Sequence, residues 1–289
     1  MKADLLRLTQ ILARTKPSDK ARVVKLYQNL GKVVGMCGDG ANDCAALHQA
    51  NLGLSLSDTE TSIAAAFTSK NRHIGSMVEL IKESRAGLAT NFSLFNVMAA
   101  YALTQYTTSI IEQYFYSYPS DVQFVYWDLF LNVMFVFSLG NISTVKNLTI
   151  ERPSSSLLSI GNVIELLSYY ILQLSGHILT ILAVNGPFSD NINYFSVGGE
   201  SFNLKHFWEE GGDDFIFDSP ENNCLFVVSN FYYLASVLAF TITKPWKEPV
   251  YTFWPFVLCF IFNLAYSICI AIVPQLRFSE FALRHLVDS

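Results

Sequence analysis

The sequence has few cysteines and few charged residues for its length. Five cysteines occur among 289 residues. No two of them form a CxxC pair, which argues against a disulfide framework or a zinc site. The formal net charge is −5, so we expect no nucleic-acid partner, because such partners require a basic surface. Only 15% of the residues are charged, whereas 51% are hydrophobic.

The charged residues are unevenly distributed along the chain. The first 90 residues have the composition of a soluble domain, and long apolar runs make up most of the remainder. In the soluble part, the segment TKPSDKARVVKLYQNLG has helical periodicity, with Ser18 or Asp19 as a predicted cap and Gly31 as the closing glycine. This part therefore opens with a predicted helix.

Strands and helices alternate after this first helix. KVVGMCG and LGLSL are predicted strands, NDCAALHQA is a predicted helix between them, and TETSIAAAF is predicted to begin a further helix at residues 59–67. Such alternation predicts a parallel sheet. In sheets of this kind the chemistry gathers at the carboxyl ends of the strands.

Two carboxylates follow the first predicted strand in the segment VVGMCGDGANDCAAL. Asp39 lies at the strand's end and Asp43 follows four residues later, and carboxylate oxygens are natural ligands of Mg²⁺. Gly38 and Gly40 allow the backbone to approach a phosphate, and amides at the start of the next helix add positive potential. The alternative is a plain turn, since Gly, Asn and Asp are turn residues. The complete strand–GDGxND–helix pattern favours the phosphate site.

The segment MCGDGANDCAAL resembles the GDGxND hinge motif of P-type ATPases. ARTKPSDKARVV resembles the segment of that family that carries a phosphate-neutralising lysine. The resemblance implies a haloacid-dehalogenase-like α/β phosphorylation domain that uses ATP and Mg²⁺. It also implies that Lys20 neutralises phosphate, that Asp39 and Asp43 are metal ligands, and that Asn42 and Asp43 order the phosphate site.

Cys37, Cys44 and the segment LGLSLSDTETSIAAAFTS make the chain most similar to type V P-type ATPases of subgroup B. These are polyamine exporters of the endolysosomal system, so the resemblance implies transport of a polyamine from lumen to cytosol through a phospho-aspartate cycle. It also implies a multi-pass protein of the late endosome or lysosome. Ala66 is a departure, since the subgroup usually has proline there.

Five apolar runs follow, each long enough to cross a membrane. The first has no charged residue from Phe92 to Ile111, and roughly 20 apolar residues suffice for a membrane-spanning helix. Buried helices of a soluble protein are the alternative, which five such runs disfavour. Lys and Arg in the loops at one side predict that the soluble domain is cytosolic, with the acidic loop 185–223 on the lumenal side.

The predicted organisation therefore has three parts. Residues 1–75 form the C-terminal half of the phosphorylation domain, and residues 76–91 form a linking helix. Residues 92–289 form an all-α transmembrane bundle in contact with lipid, with spans at 92–116, 122–143, 163–184, 224–243 and 252–273.

Polar residues inside the predicted spans mark a second candidate site, because such residues are costly in a membrane. In an α-helix, Asp121, Phe124, Asp128 and Asn132 share one face. Asp121 lies nearer the lumenal end, where it belongs to an exit path or is simply hydrated. A histidine in the third run, His177, is interpreted as packed or hydrogen-bonded.

The first span offers Tyr101 and Gln105, four residues apart. An acid, aromatic rings and an amide suit an elongated alkylammonium ion, because a carboxylate pairs with an ammonium and rings hold cations over their faces. The resemblance implies that Tyr101, Gln105, Phe124 and Asp128 bind the polyamine. Ordinary packing of Tyr101 and Phe124, and a structural hydrogen bond of Asp128, are the alternatives.

The phosphate-accepting aspartate of this family, in the motif DKTGT, does not occur in the sequence. We therefore expect a C-terminal part of a pump, truncated at both ends and inactive by itself. An inorganic-cation pump is an alternative, although calcium needs six to eight oxygen ligands and the spans offer few carboxylates. A non-catalytic membrane fragment is the other alternative, and a soluble phosphatase disagrees with the five apolar runs.

Overall fold

The computed structural model describes residues 8–57, 63–115, 117–154, 156–185, 220–241 and 244–272. Two compact units divide the chain, Met1–Ser84 and Arg85–Ser289. Nearly all of the predicted acidic loop 185–223 lies outside the described residues.

The first helix of unit 1, α1, spans Pro17–Asn29. Its N-cap is Lys16, without a side-chain hydrogen bond, so the predicted cap at Ser18 or Asp19 is wrong. Proline suits the first helical position because its missing N–H would have no intrahelical acceptor there. Past the other end, Gly31 has a φ of +73°, the left-handed conformation in which glycine commonly closes helices. The predicted closing glycine is thus confirmed.

A three-stranded parallel sheet follows, in the order β1–β2–β3. The strands are β1 (Gly35–Gly38), β2 (Leu52–Ser55) and β3 (Phe67–Thr68), and both neighbouring pairs are parallel. A 3₁₀ turn at Ala41–Asp43 and helix α2 (Cys44–Gln49) connect β1 to β2. The parallel sheet predicted from the alternation of elements is confirmed.

The helix predicted to begin in residues 59–67 is wrong where the structure describes it. Residues 63–66 form a turn and a bend, and Phe67–Thr68 pairs in parallel with Leu54 and Ser55. The alanines of this segment favour a helix by intrinsic propensity. Main-chain pairing with β2 decides otherwise, because propensity is weak compared with tertiary context. Residues 58–62 lie outside the described residues.

Unit 2 is built from helices. The long helix α3 spans Gly75–Tyr114 and begins in unit 1. A capping box at Ser120, in which the Ser120 N–H donates to Gln123 Oε1 at 2.8 Å, starts the next helical segment at Asp121. That segment consists of α4 (Asp121–Val125), a π-helix (Tyr126–Val133) and α5 (Met134–Gly140); α6 (Ile160–Asn185), α7 (Pro220–Phe240) and α8 (Trp254–Ile272) complete the unit.

Five helical segments in the described residues are long and apolar enough to cross a membrane. Their apolar side chains are largely exposed along α6 and α8, as expected for surfaces that face lipid rather than water. The chain is therefore a membrane protein, and the described segments are Gly75–Tyr114, Asp121–Gly140, Ile160–Val184, Glu221–Phe240 and Trp254–Ile272.

Aromatic side chains dominate the core of unit 2, and the polar atoms of two of them form hydrogen bonds between helices. Trp127 is fully buried, and its Nε1 donates to Asn230 Oδ1 at 2.7 Å. The Tyr126 hydroxyl donates to Asn263 Oδ1 at 2.9 Å. These bonds join the π-helix to α7 and α8, since a buried tryptophan or tyrosine needs a partner for its polar atom.

A buried lysine joins three parts of unit 2. Lys247, between α7 and α8, is only 3% exposed. Its Nζ donates to Thr90 Oγ1 of α3 at 2.8 Å and to the Leu139 carbonyl at 2.9 Å. Leu139 lies in the last turn of α5, where carbonyls lack intrahelical partners and the helix dipole attracts cations. The lysine therefore ties one end of α5 to α3.

Replacing Lys247 with methionine should destabilise unit 2. The variant keeps the aliphatic stem but leaves the buried Leu139 carbonyl and Thr90 hydroxyl without this donor, at a cost of about 1–3 kcal/mol. Thermal unfolding of the protein in detergent, followed by a thiol-reactive dye, measures the change. Lys146→Met is the matched control because Lys146 is exposed. Equal midpoints for both variants would contradict this role of Lys247.

Candidate functional site

The carboxyl end of β1 leads directly into the residues predicted to handle phosphate and magnesium. Asp39 immediately follows the strand and its side chain is exposed. Asn42, also exposed, and Asp43, which is buried, lie in the 3₁₀ turn before α2. The sequence thus places an amide and two carboxylates within five residues of a strand end.

Lys20 and Asp43 are brought together from separate elements. Lys20 lies on α1, and its Nζ donates to Asp43 Oδ1 at 2.8 Å. The lysine side chain is 33% exposed and the aspartate side chain 12% exposed. Because the lysine remains partly accessible, the ion pair holds a positive charge at the edge of the site while leaving donors for another anion.

The two glycines of the motif differ in what surrounds them. A Cβ at Gly38 would lie 2.6 Å from the Asp43 Cβ and 2.9 Å from its Cγ, so the packing of Asp43 requires glycine there. A Cβ at Gly40 would meet no heavy atom within 4 Å. Gly40 has an extended backbone, with φ of −125°, which any residue adopts. The fold itself therefore does not require glycine at position 40.

The thiol of Cys37 reports on the electrostatics of this turn. Burial raises the pKa of Cys37, and the negative charges of Asp39 and Asp43 raise it further, because both disfavour the thiolate. Cys37 lies in β1, two residues before Asp39. A cation bound to Asp39 would offset part of this effect.

The residues of the turn fit Mg²⁺ held jointly with a phosphate. Mg²⁺ usually binds one or two protein carboxylates and takes its other ligands from water and phosphate. Asp39 offers an exposed carboxylate, whereas one oxygen of Asp43 already accepts from Lys20. Within the described residues, no group of three or more His, Cys, Asp or Glu side chains forms a closed metal cage.

The second candidate site lies between α3 and the π-helix. The Tyr101 hydroxyl donates a hydrogen bond to the Asp128 carboxylate, and Asp128 is exposed. The Tyr101 ring lies 5.0 Å from the Tyr233 ring of α7, centroid to centroid. An accessible carboxylate therefore stands beside a pair of aromatic rings.

The other two predicted ligands lie nearby in sequence, Gln105 on α3 and Phe124 on α4, just before the π-helix. Phe124, half-buried in α4, packs edge-on against Trp127 and also contacts Tyr118, both at 5.8 Å between ring centroids. Gln105 is half-buried and lies one turn after Tyr101 on α3. The structure joins Tyr101 directly to Asp128, and it gives Phe124 a packing role with Trp127.

Asp128 lies in the π-helix, so the assumption of a continuous α-helix from Asp121 to Asn132 is wrong. A π-helix has wider turns, with i→i+5 hydrogen bonds, and such segments occur frequently at functional sites. The α-helical spacing used to place Asp128 and Asn132 on one face therefore does not hold from Tyr126 to Val133.

One buried acid, Glu112 of α3, was not assigned by the sequence analysis, although it is fully buried. The charge-free run that drew attention to the first span ends at Ile111, one residue earlier. A lone acid inside an apolar helix was the available signal. The interpretation of His177 is confirmed, because its Nε2 lies 3.0 Å from Thr108 Oγ1 and 3.1 Å from Ser229 Oγ.

The GDGxND turn after a parallel strand and the five candidate membrane-crossing helices agree with the resemblance to P-type ATPases. No protein-family model matches the chain. Among curated proteins, it is similar to human polyamine-transporting ATPase 13A3, with 34% identity over 273 residues, covering 91% of this chain and 22% of that protein. The chain is therefore homologous to type 13A cation-transporting P-type ATPases, which confirms the resemblance.

Two further relatives come from more distant organisms. Vacuolar cation-transporting ATPase YPK9 of Saccharomyces cerevisiae is 35% identical over 248 residues, covering 86% of this chain and 16% of that protein. Probable cation-transporting ATPase catp-6 of Caenorhabditis elegans is 34% identical over 271 residues, covering 93% of this chain and 20% of that protein. The chain thus spans about a fifth of the length of the curated relatives it matches.

Alanine at the two glycines should separate packing from ligand access. Gly38→Ala is expected to destabilise unit 1 by about 1–3 kcal/mol, because the new Cβ collides with Asp43. Gly40→Ala should change stability by less than about 0.5 kcal/mol, because space is open there. Hydrogen–deuterium exchange of the β1 and β2 amides measures both. Similar exchange rates in the two variants would refute this distinction.

Proposed function

We propose that the chain is part of an ATP-driven P-type cation transporter that moves a polyamine from the endolysosomal lumen to the cytosol. The observation that carries the proposal is the Tyr101–Asp128 hydrogen bond, which presents an accessible carboxylate beside aromatic rings within the apolar helices. Relatives named as polyamine-transporting and vacuolar cation-transporting ATPases support it.

The chemistry of the helical site suits an alkylammonium ion. The Asp128 carboxylate would pair with an ammonium group, and the Tyr101 and Phe124 rings would face the rest of the cation. Gln105, one turn from Tyr101, would supply an amide oxygen. The exposed Asp128 carboxylate beside aromatic rings suits a soft, elongated cation better than a calcium ion, which requires six to eight oxygens.

The first unit is proposed to be part of a haloacid-dehalogenase-like phosphorylation domain. Bound Mg²⁺ would offset negative charge during phosphoryl transfer from ATP. Asp39 would bind this ion, while Lys20, positioned by Asp43, would donate to a phosphate oxygen. The exposed Asn42 amide would also face the phosphate. The phosphate-accepting aspartate would come from outside this sequence, so the chain by itself would be inactive.

The proposed organisation keeps the boundaries predicted from the sequence. Residues 1–75 would be cytosolic, 76–91 would link, and 92–289 would form the membrane domain in the late endosome or lysosome. Lysine and arginine in the loops before and between the spans support this orientation.

An inorganic-cation pump is the second candidate, because two relatives are named only as cation-transporting. In the described residues of the helical site, Asp128 is the carboxylate that Tyr101 contacts, and a hard cation would require further oxygen ligands around it. The two candidates differ in whether a polyamine or a metal ion stimulates ATP hydrolysis.

Asp128→Asn should weaken polyamine stimulation of the transporter's ATPase activity. In the full-length protein, we expect the spermine concentration for half-maximal stimulation to rise about 10-fold or more, because the ammonium loses its charged partner (about 1.4 kcal/mol per tenfold). Asp121→Asn is the matched control, since Asp121 is an exposed acid in the same helical segment. Its response to spermine should stay within about twofold of the unchanged protein.

Two outcomes would overturn this proposal. If Asp128→Asn and the unchanged protein respond equally to spermine, Asp128 is not a substrate ligand. If a metal ion stimulates the unchanged protein and no polyamine does, the inorganic-cation candidate replaces the polyamine transporter.

Cys37 provides a test of the proposed magnesium ligand that does not require activity. Removing the Asp39 charge should lower the pKa of Cys37, so Asp39→Asn should react faster with iodoacetamide near pH 8. Magnesium with inorganic phosphate should accelerate alkylation of Cys37 in the unchanged protein for the same reason. Mass spectrometry of the Cys37 peptide measures the rate.

Sodium at equal ionic strength controls for the general screening of charges by salt. The alkylation rate of Cys44 controls for general unfolding. Asp39→Asn should show no further acceleration with magnesium. Magnesium that accelerates Cys37 alkylation equally in both proteins would show that Asp39 is not the ligand.

A further inference from the structure

One buried carboxylate in unit 2 lies apart from the proposed polyamine site. Glu112 is 0% exposed and lies two residues before the end of α3. In the part of the chain that the structure describes, neither carboxylate oxygen has a hydrogen-bond partner. Its main-chain carbonyl accepts from the Phe115 and Ser117 amides, which holds the residue at the helix terminus.

An ionised carboxylate in this position would be very unfavourable. Burying a charge without a partner costs several kcal/mol, and such a group becomes neutral instead. Glu112 forms no ion pair in the described residues. Since the residue is sealed from solvent, a proton is the cation that neutralises it without requiring additional space. Glu112 therefore carries a proton in this conformation.

A closed triangle of hydrogen-bonding side chains lies one helical turn from Glu112. Thr108 is four residues earlier on α3, so both side chains face the same side, about 5–6 Å apart between Cβ atoms. Thr108 Oγ1 lies 3.0 Å from His177 Nε2 of α6 and 2.9 Å from Ser229 Oγ of α7. His177 Nε2 lies 3.1 Å from Ser229 Oγ, and all three residues are fully buried.

The three contacts within this triangle have too few donor hydrogens for each of them to be a hydrogen bond. His177 Nδ1 lies 2.9 Å from the Gln173 carbonyl, which only accepts, so Nδ1 carries the ring proton of neutral histidine. The Thr108 hydroxyl donates to the Thr104 carbonyl at 2.8 Å. The Ser229 hydroxyl then supplies the one remaining proton for three contacts. A proton on His177 Nε2 would add a donor without moving any atom.

The other titratable groups around this region are neutral or acidic. The Tyr232 ring of α7 stacks on His177 at 5.4 Å between centroids. Tyr233 of the same helix lies within electrostatic range of Glu112. Other titratable groups contact α3 elsewhere: the Tyr169 hydroxyl of α6 lies 3.1 Å from Thr104 Oγ1, and Asp128 of the π-helix accepts from Tyr101. Lys247 donates to Thr90, earlier on the same helix.

We propose that Glu112 and His177 form a proton-binding site of the helical unit. Glu112 holds the proton in the conformation described here, and His177 Nε2 accepts it when Glu112 ionises. The carboxyl O–H bond breaks and an imidazole N–H bond forms, which leaves a carboxylate and an imidazolium ion with no change in net charge. This site goes beyond the proposed polyamine transport, because its ligand is a proton and its residues are separate.

Infrared spectroscopy of the full-length protein in lipid nanodiscs tests whether Glu112 holds a proton. At pH 7.5 and without substrate, we expect a protonated-carboxyl band that disappears in Glu112→Gln. Glu165→Gln is the matched control, because Glu165 is an exposed acid of α6 and should contribute no such band. Glu112→Asp, which keeps the acid, should retain a band at a shifted frequency. A spectrum in which Glu112→Gln loses no protonated-carboxyl band would overturn the proposal.

Trapping the protein with beryllium fluoride, a phosphate mimic, tests whether the proton moves from Glu112 to His177. We expect trapping to ionise Glu112, so the carboxyl band should disappear while an imidazolium signal appears in the unchanged protein and is absent from His177→Gln. A carboxyl band that persists on trapping would overturn the transfer. Loss of the carboxyl band without an imidazolium signal would exclude His177 as the acceptor. Because both measurements are made without polyamine, they fail or succeed independently of the proposed substrate.

Discussion

Polar side chains buried among apolar helices need partners on neighbouring helices, and this requirement organises unit 2. Two asparagines, Asn96 of α3 and Asn162 of α6, exchange amide hydrogen bonds at 2.6 and 3.0 Å. Similar bonds join Trp127 to Asn230 and link the π-helix to α7. Apolar packing alone is poorly directional. Each of these bonds, in contrast, specifies which helices are neighbours and how they are positioned along their axes. The arrangement of the helices therefore depends on a small number of polar pairs.

The same requirement gives the candidate sites their chemistry. A polar group that its neighbours satisfy, such as Asn96, is structural. Asp128 has a tyrosine donor yet remains exposed, so part of its hydrogen-bonding capacity is available to a ligand. Among the described residues no donor reaches the enclosed Glu112 carboxylate, which is why a proton is proposed there. In unit 1, Lys20 resembles Asp128, because its ammonium group is paired with Asp43 and still remains partly accessible. Incomplete satisfaction of a charged or acidic group thus marks these residues as able to bind a ligand, whereas atoms of Gln173 and Tyr233 that are unpaired in the described residues belong to neutral side chains.

Much of this arrangement could be predicted from local sequence, and the exceptions have physical causes. Alternating elements around the GDGxND segment predicted the parallel sheet, because β1 and β2 are short apolar runs bounded by turns. The segment before β3 favoured a helix by propensity, and only pairing with β2, a distant contact, gives a strand. The π-helix could not be predicted, since neither proline nor glycine interrupts Tyr126–Val133. The Lys20–Asp43 pair joins residues 23 positions apart, which no periodicity reveals; family resemblance alone suggested that both belong to one site.

The π-helix has a mechanical consequence for the helical segment around Asp128. A wide turn accommodates one residue more than an α-helical turn, so tightening it would rotate the flanking helices against each other by about 100°, the angle of one α-helical residue. The two ends of the segment are held by different contacts. The α5 end is anchored where Lys247 binds the Leu139 carbonyl, whereas the α4 end begins with an exposed aspartate. Any rewinding of the π-helix would therefore rotate Phe124 and its neighbours relative to the Leu139 end.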